Sequence, residues 1–195
     1  VDSATAGQPG YAFSAYDAAL LYRIDPKKKY CDLAVSMVEK EVGDAETAIA
    51  DGRAPEIAGD SYLEVGPRIA ALSMTLDTCK AQIDDAQKKR WSAFAEQAVW
   101  NVWHHLRANW GGRPRPWTGW SVDNPGNNYY YSFVEATLYW ALASGSDDWM
   151  RFLHEEKMPP LRAYFAKLPG GGSLEGTGYG AAHMRLFALY RLWRD

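Results

Sequence analysis

One stretch, Trp120–Leu142, constrains this chain more than any other. It reads WSVDNPGNNYYYSFVEATLYWAL. A Pro125-Gly126 turn leads into two consecutive amides, Asn127 and Asn128, and then into three consecutive tyrosines, Tyr129, Tyr130 and Tyr131. From Tyr129 onward the residues are mostly apolar with a few polar interruptions, which predicts a helix over 127–144. A fold needs the apolar part, and the rest of the chain is expected to be organised around it. It does not need two amides and a triple tyrosine at one helix entrance. That surplus is where function is sought.

The flanking sequence reads as further helices. Residues 1–13 form an irregular lead-in. Ser14 is placed to cap AYDAALLYRI, and Asp25-Pro26 reads as an N-cap followed by proline at the first helical position. The helix it opens is expected to run to about residue 42, with Tyr30, Leu33, Ala34, Met37 and Val38 at helical spacing. Residues 43–60 read as loop, with at most a weak helical turn at 45–50. A third helix is expected over 61–80. A fourth starts at Asp84 or Asp85, runs to about residue 109 and carries Trp91, Phe94, Trp100 and Trp103. Ser146 or Asp147 caps a sixth segment that Pro159-Pro160 should break. A glycine-rich turn spans 169–178, and a last helix spans 179–194. The best strand candidate, 117–122, is poor.

The expected fold is therefore all-α, a single helical domain over 1–195. Consecutive helices joined by short loops should pack as antiparallel hairpins. A row of such hairpins forms a partial (α/α) toroid, with too few helices to close the ring, as in an N-terminal portion of a longer chain.

Composition narrows the partners. The net charge of −3 gives no global attraction to nucleic acid or to an anionic membrane surface. No run of apolar residues is long enough to cross a bilayer. The excess of nine Trp and twelve Tyr serves helix packing first, but such rings also stack on sugars. The two cysteines, Cys31 and Cys79, allow one disulfide or two buried thiols. No His/Cys/Asp spacing suggests a metal, and no phosphate loop is present, so no cofactor is expected.

Two constellations carry possible chemistry. Asn127 and Asn128 lie at a helix N-terminus, where free N–H groups and a partial positive charge suit an anion. Asn127 also reads simply as the N-cap. The second is GGGSLEGTGYGAAHMRLF, in which Tyr179 follows a flexible run and His183 lies one turn further on. Tyr179 is a proton-transfer candidate if neighbouring cations favour its phenolate. Between the two amides and the preceding helix lies the loop 110–126, with Arg113, Arg115, Trp117 and Trp120. Its three tryptophans argue for an ordered loop that lines something. Guanidinium forks match carboxylates and sulfates. His104 and His105 are adjacent, so only one of them can face a given side.

These residues carry a resemblance. PGNNYYYSFVEATLYWALAS followed by GGGSLEGTGYG is similar to the core of the heparinase II/III and alginate lyase group of polysaccharide lyases. In that group a helix opens with Asn-His or Asn-Asn, then aromatics. A later DGS-x-x-EG-x-x-Y segment carries a catalytic tyrosine. Here Asn127-Asn128 matches the amide pair, Glu175 to Tyr179 matches the second segment, and Asn128 and Tyr179 are 51 residues apart. Some members have His where Asn128 stands. The group's further basic residues and its β-sandwich are expected downstream of the matching part, which spans 117–190.

The resemblance implies an incomplete helical toroid, a periplasmic or secreted location, and β-elimination at a uronate in an anionic polysaccharide. Asn127 or Asn128 would hold the carboxylate and Tyr179 would act as base, acid or both. Tyr129, Tyr130 and Tyr131 would bring at least one ring to the cleft. Arg113, Arg115, Trp117, Trp120, Glu175, His183 and His105 complete the expected substrate contacts. Two alternatives stand beside it. One is an inverting glycoside hydrolase using carboxylates such as Asp123, Glu135 or Glu175, roughly 6.5–9.5 Å apart. The other is a non-catalytic glycan-binding helical fragment.

Overall fold

The computed structural model describes residues 2–6, 10, 13–168 and 175–194. The glycine run expected at 170–172, most of the turn around it and part of the N-terminal lead-in lie outside the described residues. The chain is mostly helical: α1 (Asp2–Thr5), α2 (Ala15–Ile24), α3 (Lys28–Ala50), α4 (Val65–Thr78), α5 (Asp85–Trp103), α6 (Asn128–Ser144), α7 (Asp147–Phe152), α8 (Met158–Ala166) and α9 (Gly180–Arg194).

Helix starts follow local chemistry. The Asp17 carboxylate accepts from the Ser14 N–H and hydroxyl, both at 2.8 Å, at the head of α2. Asp84 and Gln87 exchange hydrogen bonds of 2.7 and 3.2 Å at the head of α5. Ser146 accepts from the Trp149 N–H at 3.2 Å at the head of α7. The α3 start differs from expectation, since Lys27 rather than Asp25 stands at the N-cap.

Four further expectations need correction. First, α3 continues to Ala50, because Ala45 and Ala48 extend the buried stripe of Cys31, Ala34, Val38 and Val42. Small residues around Gly43 hid that stripe. Second, Ser61 does not open a helix. Asp60, Ser61 and Tyr62 have φ of 43°, 53° and 63°, a left-handed turn that delays α4 to Val65. Third, 117–122 is not a strand. The described residues form one short hairpin instead, with β1 (Asn109–Trp110) paired to β2 (Arg113–Pro114) through Gly111 and Gly112, whose φ values are 58° and 73°. Fourth, Pro159-Pro160 does not break the chain. The two prolines occupy the first turn of α8, where their missing N–H groups are not needed, after a wide π turn at Leu153–Lys157.

Helices pack on their chain neighbours and on alternate helices. Helix α4 lies against α2 and α6, α6 also meets α9, and α3 meets α5. Gly66 lets α4 and α6 approach closely, since a Cβ there would come within 2.7 Å of the Ser132 carbonyl. Its N–H donates to Ser132 Oγ at 2.8 Å, and that hydroxyl donates to the Leu63 carbonyl at 2.6 Å. A disulfide joins Cys31 on α3 to Cys79 at the end of α4, with Cα atoms 5.4 Å apart.

The core has two parts. One gathers Cys31, Val38, Ile69, Trp91, Val99 and Phe133 from α3 to α6. The other gathers Tyr130, Val134, Leu138, Leu153, Leu161 and Leu186 from α6 to α9. Helix α6 supplies both, and 11 of its 17 residues are buried. A helix buried on most faces must sit at the centre of its neighbours, which leaves its N-terminus as a natural place for a site.

Candidate functional site at the head of helix α6

Asn127 is the N-cap of α6. Its Oδ1 accepts from the Tyr129 N–H at 3.0 Å, and its Nδ2 donates to Glu175 Oε1 at 2.9 Å. The Asn128 N–H donates to Glu175 Oε2 at 3.1 Å. Both ends of the Asn127 amide are thus engaged, and the Glu175 carboxylate sits on the positive end of α6. The Asn128 side chain, half-buried, makes no hydrogen bond among the described residues. Of the two amides, Asn128 is the one left to meet a ligand. Gly126 precedes the cap under the Tyr164 ring, where a Cβ would approach Cζ to 2.7 Å.

The three tyrosines go three ways. The Tyr129 hydroxyl donates to Asp60 Oδ1 at 2.9 Å, which ties the head of α6 to the left-handed turn. Burial, then the Asp60 hydrogen bond and charge, then Tyr179, push the Tyr129 phenol above its ordinary range, so it remains a donor. Tyr130 turns into the core and donates to the Lys157 carbonyl at 2.8 Å. That bond serves the π turn, and Tyr130 is not a cleft residue. Tyr131 is buried against Phe165 and His183. Burial first, then Tyr164 and Glu175, push its phenol up.

Tyr179 ends a short 3₁₀ turn at the head of α9 and is 42% exposed. It is close enough to Tyr129 for its charge to bear on that phenol. His183 Nδ1 lies 2.9 Å from the Tyr179 carbonyl oxygen. The site therefore brings together Asn127, Asn128, Tyr129, Glu175 and Tyr179, with Tyr131 and His183 behind them.

Most of the 110–126 loop faces elsewhere. Arg113 donates to the Ile49 carbonyl at 3.1 Å and Arg115 to the Gly52 carbonyl. Both arginines thus lie at the end of α3, where the negative end of the helix attracts cations, and neither bonds to the head of α6. Trp117 donates to the Asn101 carbonyl at 2.9 Å and packs on Tyr62 and Phe133. His105 lies 3.2 Å from the Trp117 carbonyl and covers Gly119. Both are packing residues rather than substrate contacts. Trp110 is buried and donates to the Tyr62 hydroxyl at 3.1 Å. The loop is ordered, but it braces Tyr62 and hence the Asp60 turn. Trp120, 58% exposed, is the loop ring that remains open.

The three carboxylates considered for hydrolysis have separate partners. Glu135 pairs with Arg185, Asp123 lies 3.5 Å from Lys157, and Glu175 holds the α6 cap. Among the described residues no group of three or more His, Cys, Asp or Glu could hold a metal ion. No helix among them is long and apolar enough to cross a membrane.

Asp60 and Tyr164 were not foreseen as site residues. Gly59-Asp60-Ser61 is a turn-type sequence, and aspartate is among the residues that tolerate left-handed backbone. That was the available signal for Asp60. Tyr164 had none.

Comparison of the chain with protein-family models, with curated proteins and with solved structures finds no match.

Proposed function

We propose that this chain carries part of the active site of a polysaccharide lyase that cleaves a uronate-containing anionic glycan by β-elimination. The observation that carries the reading is the hydrogen bond from Asn127 to Glu175. It joins the Asn-Asn helix head to the EG-x-x-Y segment, which carries Tyr179 four residues after Glu175. The spacing of two motifs in the sequence becomes one cluster in space.

The residues divide the work as follows. The free amide of Asn128, at the positive end of α6, hydrogen-bonds the substrate carboxylate and offsets the charge that grows on it as the α-proton leaves. Tyr129 stays protonated, and its hydroxyl, donated to Asp60, holds the head of α6 in place beside the substrate. Tyr179, as phenolate, takes the proton from the carbon next to the carboxylate. The released electron pair forms the new carbon–carbon double bond, and the 4-linked oxygen leaves with the proton that Tyr179 returns. Trp120 is suited to stack on a neighbouring sugar ring. Arg113 and Arg115 are engaged at the end of α3, so other cations would have to favour the phenolate.

The alternating contacts of α2, α4, α6 and α9 support an arrangement of helical hairpins in a partial (α/α) toroid. A downstream β-sandwich of the same protein would supply the remaining basic groups. The Cys31–Cys79 disulfide favours an oxidising compartment, in line with a periplasmic or secreted enzyme.

The test uses the intact protein with alginate, glucuronan, heparan and hyaluronan. Elimination yields an unsaturated uronate that absorbs in the near ultraviolet. New reducing ends without that absorbance would mean hydrolysis. Binding without either product would mean a glycan-binding module.

A further inference from the structure

We propose that His183 is a positioning residue for Tyr179, held in its Nδ1-protonated form by one buried water shared with the Tyr131 hydroxyl. Its catalytic consequence rests on the lyase reading, and its geometry rests on packing alone.

Two buried polar atoms on packed rings lack partners. Tyr131 Oη and His183 Nε2 are both shut off from solvent and make no hydrogen bond among the described residues. They come from different helices, α6 and α9, and their rings pack with centroids 5.6 Å apart at 57°. Phe165 of α8 packs on both, at 6.1 and 6.2 Å, and supplies an apolar wall. A buried polar atom left unpaired costs about 1–3 kcal/mol. One retained water would satisfy both atoms at once.

The tautomer follows from the other ring nitrogen. His183 Nδ1 faces the Tyr179 carbonyl oxygen, which only accepts, so Nδ1 carries the proton. In the neutral ring Nε2 is then an acceptor, complementary to the Tyr131 hydroxyl proton through the water. The chain of contacts runs from α6 through His183 to the Tyr179 backbone. That backbone follows Gly176, whose φ is 78°, and Gly178, so it has little stiffness of its own. His183 fixes the point from which the exposed Tyr179 phenol projects. It does not touch substrate.

Nitrogen NMR of histidine-labelled intact protein reads the tautomer directly, and the loss of one ring's pair of resonances in His183→Asn assigns it. The expected result is Nδ1–H, with an Nε2 resonance that moves in Tyr131→Phe. An Nε2–H tautomer, or an Nε2 resonance indifferent to Tyr131→Phe, overturns the proposal. If Tyr131→Phe does not fold, the activity pair decides. His183→Ala should lower kcat roughly 10- to 100-fold with KM unchanged, and His183→Asn, whose amide still donates to the Tyr179 carbonyl, should recover most of it. Equal losses in both variants overturn the positioning role. The expected tautomer in a protein that forms no unsaturated product would refute the lyase reading and leave the His183 geometry standing.

Discussion

The Asn127 side chain donates to Glu175 Oε1 across 2.9 Å while its own oxygen caps the Tyr129 N–H at 3.0 Å. One amide therefore starts a helix and fastens a segment 48 residues away. Asn128 completes the clasp with its backbone N–H and keeps its side chain for something else. Two adjacent asparagines that look equivalent in the sequence have different jobs.

Glu175→Ala should loosen the head of α9 without unfolding the domain. Charge-assisted hydrogen bonds contribute about 1.5–3 kcal/mol when formed, and this carboxylate is half-buried, so the lower end applies. In a chain of this size that is roughly a 3–6 °C loss in Tm. Activity should fall further, by roughly 100-fold in kcat, because the segment that carries Tyr179 is no longer fastened to the head of α6. Differential scanning calorimetry and the near-ultraviolet assay on one preparation check both.

The two asparagines should separate cleanly. Asn127→Ala removes a cap and should cost about 1 kcal/mol of stability. Asn128→Ala removes no recorded side-chain contact, and should leave Tm within about 1 °C while lowering kcat by roughly 10²–10³-fold, as loss of one charge-stabilising donor does. Thermal melts and steady-state kinetics of the two variants decide it. Equal thermal losses would assign Asn128 a structural role.

Breaking the disulfide should weaken the first core. Cys31 and Cys79 are both buried and 48 residues apart. In the chain-entropy picture a closed loop of that length contributes about 4 kcal/mol. The double variant Cys31→Ser, Cys79→Ser should melt roughly 10 °C lower, while the site at the head of α6, which the disulfide does not touch, keeps its KM.

The sequence made the centre legible and the margins less so. The bounds of α6, the capping residues Ser14, Asp84 and Ser146, and the mainly helical character could be read because each rests on local chemistry. The length of α3 could not, because alanines carry its buried stripe and Gly43 interrupts it. The left-handed turn at Asp60–Tyr62 is imposed by tertiary contacts. Tyr62 is buried under Trp110 and Trp117, and Asp60 receives Tyr129. The roles of Arg113 and Arg115 depended on where the end of α3 lies, which a loop sequence does not state. Asn127, Asn128, Glu175 and Tyr179 were brought together by motif pairing; Tyr130, Trp117 and His105 shared their chemistry but point into packing.

Arg185 and Glu135 give the last prediction. Glu135 on α6 is 9% exposed and pairs with Arg185 on α9. Burial raises the Glu135 carboxyl above its ordinary range, and Arg185 opposes that rise by favouring the charged form. Arg185→Met removes the opposing charge and leaves a buried carboxylate without its cation. At neutral pH this should cost about 1–3 kcal/mol, more than Glu135→Gln, which leaves only a half-exposed arginine free to meet water. The pH dependence has a definite sign. A carboxyl whose folded pKa is raised binds protons more tightly when folded, so its contribution weakens as pH rises through that pKa. Arg185→Met should therefore be most deficient above the Glu135 titration. The deficit should shrink as pH falls and the carboxyl becomes neutral in both proteins. Urea melts of Arg185→Met, Glu135→Gln and the parent protein across that range check the sign. A deficit that grows on acidification would show that Arg185 acts through some other partner.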